Sequence, residues 1–277
     1  MTQSKLAFCQ SVGKFETPPV TNEDAAIAND TKKFIAVSDG AGGGGVYADQ
    51  WSKYLVDNLP SNAIRSFEDL DLWIGSIWEP FYNECELHAK QVGGLLLNKF
   101  YDEGSFATLV ALWQYSSNEC QWISYGDSVA FCYNPLTKEL QHSFTSLQDF
   151  SKAPYLINCK DELRPEGFRS GSFVVEKGCI VFCASDALSH YILSLYETSN
   201  SIFYNNEIQD EISAHTKNSN FTKVALSIKR IDFEKDVIGK LASVVKNKHN
   251  FIQHLHSLKN KGLIAHDDYS LSLLIIE

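Results

Sequence analysis

Apolar positions recur with two distinct periods along this chain, and the switches between them mark its elements. Short apolar runs at residues 6–12, 25–28 and 34–38, separated by Pro18-Pro19 and Asn29-Asp30, predict the opening strands of a sheet. Beyond a Gly-rich stretch the period lengthens. Trp51, Leu55 and Leu59 recur at four-residue steps, so a helix is expected from about Val46. Leu70, Trp73, Ile77, Phe81, Cys85 and His88 continue the spacing in a second, longer helix, with Pro80 as the natural place for a kink. The middle returns to strands at 105–113, 121–125, 129–133 and 139–144, joined by short polar links, the pattern of an antiparallel meander. Residues 145–171 carry Pro154, Pro165, Gly167 and Gly171 with weak periodicity and predict a flap-like surface excursion, a loop length that usually has a function. Strands are expected again at 173–175 and 179–184, and helices at 188–196 and 208–217. A helical pattern at 221–261, broken near 230–234, precedes a last strand at 270–276. The pattern alone is that of an α+β chain.

Length and charge narrow this picture. At 277 residues the chain fits one domain, 1–277, because a single core stops growing at roughly 250–300 residues. With 24 Lys and Arg against 34 Asp and Glu, the formal charge is −10 and no basic stripe is present. Nucleic acid and anionic membrane are therefore not expected as partners, since both need clustered cations. No stretch reaches 18 apolar residues and residues 1–14 lack the pattern of a leader, so a soluble cytoplasmic protein is expected. Seven cysteines, an odd number without CxxC spacing, read as reduced thiols packed in the core. His249, His254 and His256 lack zinc spacing and read as part of a polar helix face, as do Lys246, Lys248, Lys259 and Lys261.

The candidate chemistry lies in short strings beside the predicted strands. These are Asn22-Glu23-Asp24-Ala25, Val37-Ser38-Asp39-Gly40-Ala41-Gly42-Gly43, Ser124-Tyr125-Gly126-Asp127-Ser128, Ala184-Ser185-Asp186-Ala187 and His266-Asp267-Asp268-Tyr269-Ser270. Carboxylates gathered at strand ends are suited to hard divalent cations such as Mg²⁺ or Mn²⁺. Singly, each string reads as an ordinary turn or helix cap. In this order and spacing they resemble the metal-dependent protein phosphatases, the PPM or type 2C family, in particular its bacterial members, from about Phe8 to the last residue.

The resemblance implies a four-layer α/β/β/α sandwich, two antiparallel sheets flanked by helices. It also implies hydrolysis of phosphoserine or phosphothreonine in proteins at two Mn²⁺ or Mg²⁺ ions, with a third ion in many bacterial members. Carried over by position, Asp39 is the bridging ligand and so the catalytic residue, and Gly40 supplies a carbonyl. Asp186, Asp267 and Asp24 complete the set, directly or through water in the last case, with Glu23 close behind Asp24 and Asp268 the alternative to Asp267. Asp127, with Asp186, would hold the third ion. Gly104-Ser105-Phe106-Ala107 reads as a structural string opening a core strand. The implied partner is a phosphorylated protein, opposed by a Ser/Thr kinase.

Two positions depart from the family pattern. Pro19 stands where many members place a phosphate-binding arginine, and a proline cannot donate to an oxyanion. Ala41 stands where eukaryotic members have a histidine. Lys152, Lys160, Arg164 and Arg169, in the excursion, are the candidate replacement grip on substrate. The competing reading is a binding or regulatory module with this fold and little turnover.

Overall fold

Long unbroken apolar runs such as Phe34–Ser38 and Leu109–Gln114 suit strands covered on both faces, and the central strands are buried along nearly their whole length. The structure is a computed structural model that describes residues 6–17, 20–43 and 45–277. One antiparallel sheet has the order β1 (Ala7–Val12), β12 (Tyr269–Ile275), β11 (Ile180–Ala184), β7 (Val129–Asn134), β8 (Glu139–His142). The other has the order β10 (Phe168–Val174), β6 (Glu119–Tyr125), β5 (Leu109–Gln114), β3 (Phe34–Ser38), β2 (Ala25–Asn29). A short pair, β4 (Phe106–Ala107) and β9 (Ile157–Asn158), lies apart from both.

Three apolar clusters fill the three interfaces of a four-layer sandwich. Between the sheets lie Ile35, Val37, Val110, Leu112, Val181 and Leu274 with the thiols of Cys120, Cys132, Cys179 and Cys183. The helices α1 (Ala48–Asp57), α2 (Phe67–Val92) and α3 (Gly94–Glu103) press Trp51, Leu55, Leu70, Phe81 and Phe100 onto the β2–β10 sheet. The helices α4 (Asp186–Ser199), α5 (Ser201–Ser213), α6 (Ser219–Ser227), α7 (Gly239–Val244) and α8 (Lys248–Asn260) cover the other sheet, through Leu188, Ile192, Leu241, Phe251 and Leu255. Burial of this kind dominates stability. Truncating Leu112, which is fully buried, to Ala is expected to cost about 2–5 kcal/mol.

The expected α+β sandwich of two antiparallel sheets is thus the observed fold, with local differences. The strand expected at 105–113 is divided at Thr108, where β4 leaves to pair with β9 although the Thr108 N–H still donates to the Asp39 carbonyl at 2.8 Å, in register with the β3–β5 pairing. The excursion is shorter than expected, because residues 168–171 belong to β10 and pair with β6. Gly171, which suggested a loop, is a packing requirement: an added Cβ would lie 2.6 Å from the Trp122 ring. Helix α3 was not anticipated, and the last helical pattern breaks a second time, at 245–247. Pro80 does not interrupt α2, since it faces solvent where water can serve the freed Ser76 carbonyl. His254 is not on an open face: burial, then Lys240 and Lys261, push its imidazole down to about 4.

Candidate metal centre

Strand register brings the acidic strings together. Ala25 pairs with Ser38, so Asp24 enters β2 beside the point where Asp39 leaves β3. Val129 pairs with Ala184, so Asp127 and Asp186 each lie two residues beyond the same end of the β7–β11 ladder. Val12 pairs with Tyr269, which sets Lys14 opposite Asp267 in the same way. The result is a cavity of about 340 Å³ lined by Lys14, Glu23, Asp39, Asp127, Asp186 and Asp267, with the Gly40–Gly43 backbone as one wall. Glu23 packs against that wall so closely that a Cβ on Gly42 would fall 1.7 Å from its Oε1.

The carboxylates outnumber their counter-charges, Lys14 beside Asp267 and Glu23 and Arg169 near Asp127. Burial, then Asp24, Asp186, Asp127 and Asp267, hold the Asp39 carboxyl well above its usual range. Burial followed by Asp127, Asp267 and Asp24 does the same to Asp186. Asp127 is pushed up to about 6 by burial, although Arg169 works against the shift. Asp24, only 5% exposed, is pushed up to about 7 by burial and then by Asp268. Neither of its carboxylate oxygens has a partner at full hydrogen-bond geometry, although Asp39, Ser185 and Ser270 ease the shift. A buried carboxyl left in that state is destabilising unless a proton or a cation joins it.

Several neighbours fix this geometry. The Asp39 N–H donates to Thr108 Oγ1 at 3.1 Å, and that hydroxyl lies 2.7 Å from Ser128 Oγ, next to Asp127. Ser38 Oγ donates to the Thr108 carbonyl at 2.6 Å. Asp186 opens α4 and accepts the Ala187 N–H, so the alanine sits in regular helix and its Cβ causes no distortion. A carboxylate there also meets the positive end of the helix dipole. Asp268, 4% exposed, does not line the cavity: its Oδ1 accepts the Lys14 N–H and its Oδ2 the Glu23 N–H, each at 2.7 Å. Asp267 is the member of the pair that faces the cavity.

Of the four basic candidates, the structure brings one to the cavity. Lys152 lines it, on the segment Phe150–Leu156, while its ammonium pairs with Asp149 at 2.6 Å. Lys160 lines a different hollow and pairs with Asp161 at 3.2 Å, and Arg164 lines another with Tyr125 and Tyr155. Arg169 is turned inward: it donates to Ser124 Oγ at 3.2 Å and to the Gly126 carbonyl, and its guanidinium lies 5.0 Å from the Phe144 ring centre. It braces the turn that carries Asp127. Pro19 lies outside the described residues. Two contributors escaped sequence reasoning. Thr108 directly follows the string read as structural, and Lys14 follows a lone glycine after the first strand, a weak signal in each case.

The acidic donors lining the cavity fit hard divalent cations, since all are oxygen, and the buried Asp24 carboxylate stands beside Asp39 behind them. Among the described residues no three His, Cys, Asp or Glu side chains close into a ready-made ion cage. The acids face a common cavity, and the Lys14 ammonium stands among them, 3.3 Å from Asp267 Oδ1 and 3.9 Å from Glu23 Oε2. Burial opposes its charge, but Asp267, Asp268 and Glu23 outweigh burial and raise its pKa.

Comparison with known proteins gives the fold a name. The Mycobacterium tuberculosis serine/threonine phosphatase PstP/Ppp matches over 98% of each chain, with a TM-score of 0.55 and 14% identity. The catalytic domain of the phosphatase PstP, in complex with two manganese ions, matches over 98% of each chain at 0.52 and 13% identity. PppA, a key regulatory component of the T6SS in Pseudomonas aeruginosa, matches over 98% of each chain at 0.51 and 16% identity. No protein-family model matches the chain, and no curated protein sequence does. The chain has the fold of the bacterial PPM serine/threonine phosphatases over nearly its whole length.

Proposed function

We propose that this protein is a divalent-cation-dependent phosphatase acting on phosphoserine or phosphothreonine in proteins. The observation that carries the proposal is the meeting of aspartates from five strand ends, Asp39, Asp127, Asp186 and Asp267 on one cavity and Asp24 buried beside Asp39, where the acids outnumber the nearby cations Lys14 and Arg169. Asp39, Asp186, Asp267 and Asp24, with Glu23 and the Gly40 backbone beside them, would hold two Mn²⁺ or Mg²⁺ ions, and Asp127 with Asp186 a third. Ions bound there supply charge neutralisation for phosphoryl oxygens and lower the pKa of a coordinated water. The chain's own part is positional. Thr108 orients Asp39 through its backbone N–H, Arg169 holds the Gly126–Asp127 turn, and Lys152 stands at the cavity wall where an anionic substrate would enter. An opposing Ser/Thr kinase and a cytoplasmic location belong to the same proposal. No helix of the described residues is long and apolar enough to cross a membrane.

A second reading, a binding module with this fold and little turnover, is favoured by one observation. Ala41 lines the cavity and offers no proton donor, and Pro19 offers no cation. Hydrolysis of p-nitrophenyl phosphate and of a phosphothreonine peptide, measured with Mn²⁺ and with excess EDTA, separates the two. Metal-dependent turnover of the peptide supports the phosphatase. Full activity in EDTA, or none in Mn²⁺, rejects it.

A further inference from the structure

Among the described residues, Lys14 is the one lysine or arginine that ion-pairs with carboxylates lining the cavity, and it pairs with two of them, Asp267 and Glu23. Its place there is built. The Lys14 N–H is bound to Asp268, which also holds the Glu23 N–H. The next residue, Phe15, is stacked on His256 at a ring separation of 3.9 Å. The backbone is thereby pinned on both sides, while the four-carbon stem, 28% exposed, leaves the ammonium free to swing. A pinned lysine aimed at two acids of an acid-rich cavity occupies the charge that a divalent ion would need.

We propose that the Lys14 ammonium is a tethered counter-cation that competes with divalent metal ions for Asp267 and Glu23, so that the site sets its own metal affinity. This rests on the metal-dependent reading given above. Without metal the ammonium tempers the mutual repulsion of the acids. When an ion is bound, like charge drives the ammonium off Asp267 and into the open cavity. The affinity for metal is lowered by the strength of the pair that must break, which for a partly exposed pair is roughly two- to fivefold.

Two measurements test this. In calorimetric titration of Mn²⁺ into EDTA-stripped protein, Lys14→Gln should bind roughly two- to fivefold more tightly than wild type, and Lys14→Arg close to wild type. Thermal melts should cross over: Lys14→Gln less stable than wild type without metal, and at least as stable in saturating Mn²⁺. In wild type alone, lysine acylation read by mass spectrometry should accelerate at Lys14 when Mn²⁺ is added, so the idea stays testable even if the Gln variant fails to fold. Mn²⁺ binding to wild type that is unchanged or weakened in Lys14→Gln, or slower Lys14 acylation with Mn²⁺, overturns the competition and leaves the phosphatase reading standing. No Mn²⁺ binding in either protein overturns both. Binding only in Lys14→Gln supports a site that its own lysine closes.

Discussion

Two groups of buried acids in this protein invite comparison. At the strand ends, Asp39, Asp127, Asp186 and Asp267 line a cavity open to solvent, with Asp24 buried beside Asp39. Between α4, α5 and α6, Glu197 and the fully buried Glu211 lie within the packing, with His190 Nε2 3.6 Å from Glu211 Oε1. Both groups contain carboxylate oxygens without a partner at full hydrogen-bond geometry. Burial, then Glu207 and Glu211, push Glu197 up to about 8, so it is largely neutral near pH 7. The difference lies in access. A sealed acid relieves its charge with a proton, whereas acids on a cavity wall beside a glycine-rich backbone can also take a cation.

The sharpest way to break this comparison is to remove one charge from each group. Asp39→Asn is expected to abolish Mn²⁺ binding and lower turnover by roughly a thousandfold or more, with the far-UV circular dichroism unchanged. Glu197→Gln mimics a group already near neutral, so turnover should stay within about twofold of wild type. Comparable losses in both variants would mean that the strand-end cavity has no special role.

Stability against pH comes next in size. Folded Asp24 titrates near 7 against an ordinary value of 3.8, so between those values the folded protein holds more protons than the unfolded chain. Stability of the metal-free protein must therefore fall as pH rises through that window. We expect the melting temperature in EDTA to drop by on the order of 5–10 °C from pH 5 to pH 8, and Mn²⁺ at pH 8 to restore it. A flat or rising melting temperature in EDTA would show that the acids do not repel one another.

Smaller effects test the surroundings of each aspartate. Thr108→Val removes the hydroxyl that accepts the Asp39 N–H and meets Ser128, and should cost about 1–3 kcal/mol of stability. It should also lower kcat by roughly tenfold with little change in KM, and Thr108→Ser should recover most of both. Smallest of all, Lys160→Ala with Arg164→Ala should alter kcat/KM on a phosphopeptide by less than about twofold, because neither side chain lines the cavity. A larger loss on the peptide than on p-nitrophenyl phosphate would return these residues to the substrate path.

What could be read in advance follows from the range of the forces involved. The layer order and the place of Asp39 were legible through the family resemblance of the ordered acidic strings, since an Asp-Gly string by itself reads as a turn and the apolar periods by themselves reach only an α+β chain. Helix α3 was hidden because Gly93-Gly94 punctuates the sequence and Leu95, 87% exposed, breaks the amphipathic pattern. Arg169 suggested a substrate contact, yet its partners, Ser124 and Gly126, come to it only through the pairing of β10 with β6. The choice between Asp267 and Asp268 turned on two backbone N–H groups some 250 residues away in sequence, at Lys14 and Glu23, and no local pattern carries that.

The thiols between the two sheets give the sandwich an internal clock. Cys120, Cys132, Cys179 and Cys183 are each at most 2% exposed, and burial pushes the Cys120 thiol up to about 12 and raises Cys132 and Cys183 as well. A reagent that needs a thiolate can reach them only when the layers part, so their labelling rate counts openings of the central interface directly. That rate, followed as metal is added or withdrawn, would report whether events at the strand ends are felt in the middle of the molecule, independently of any catalytic assay.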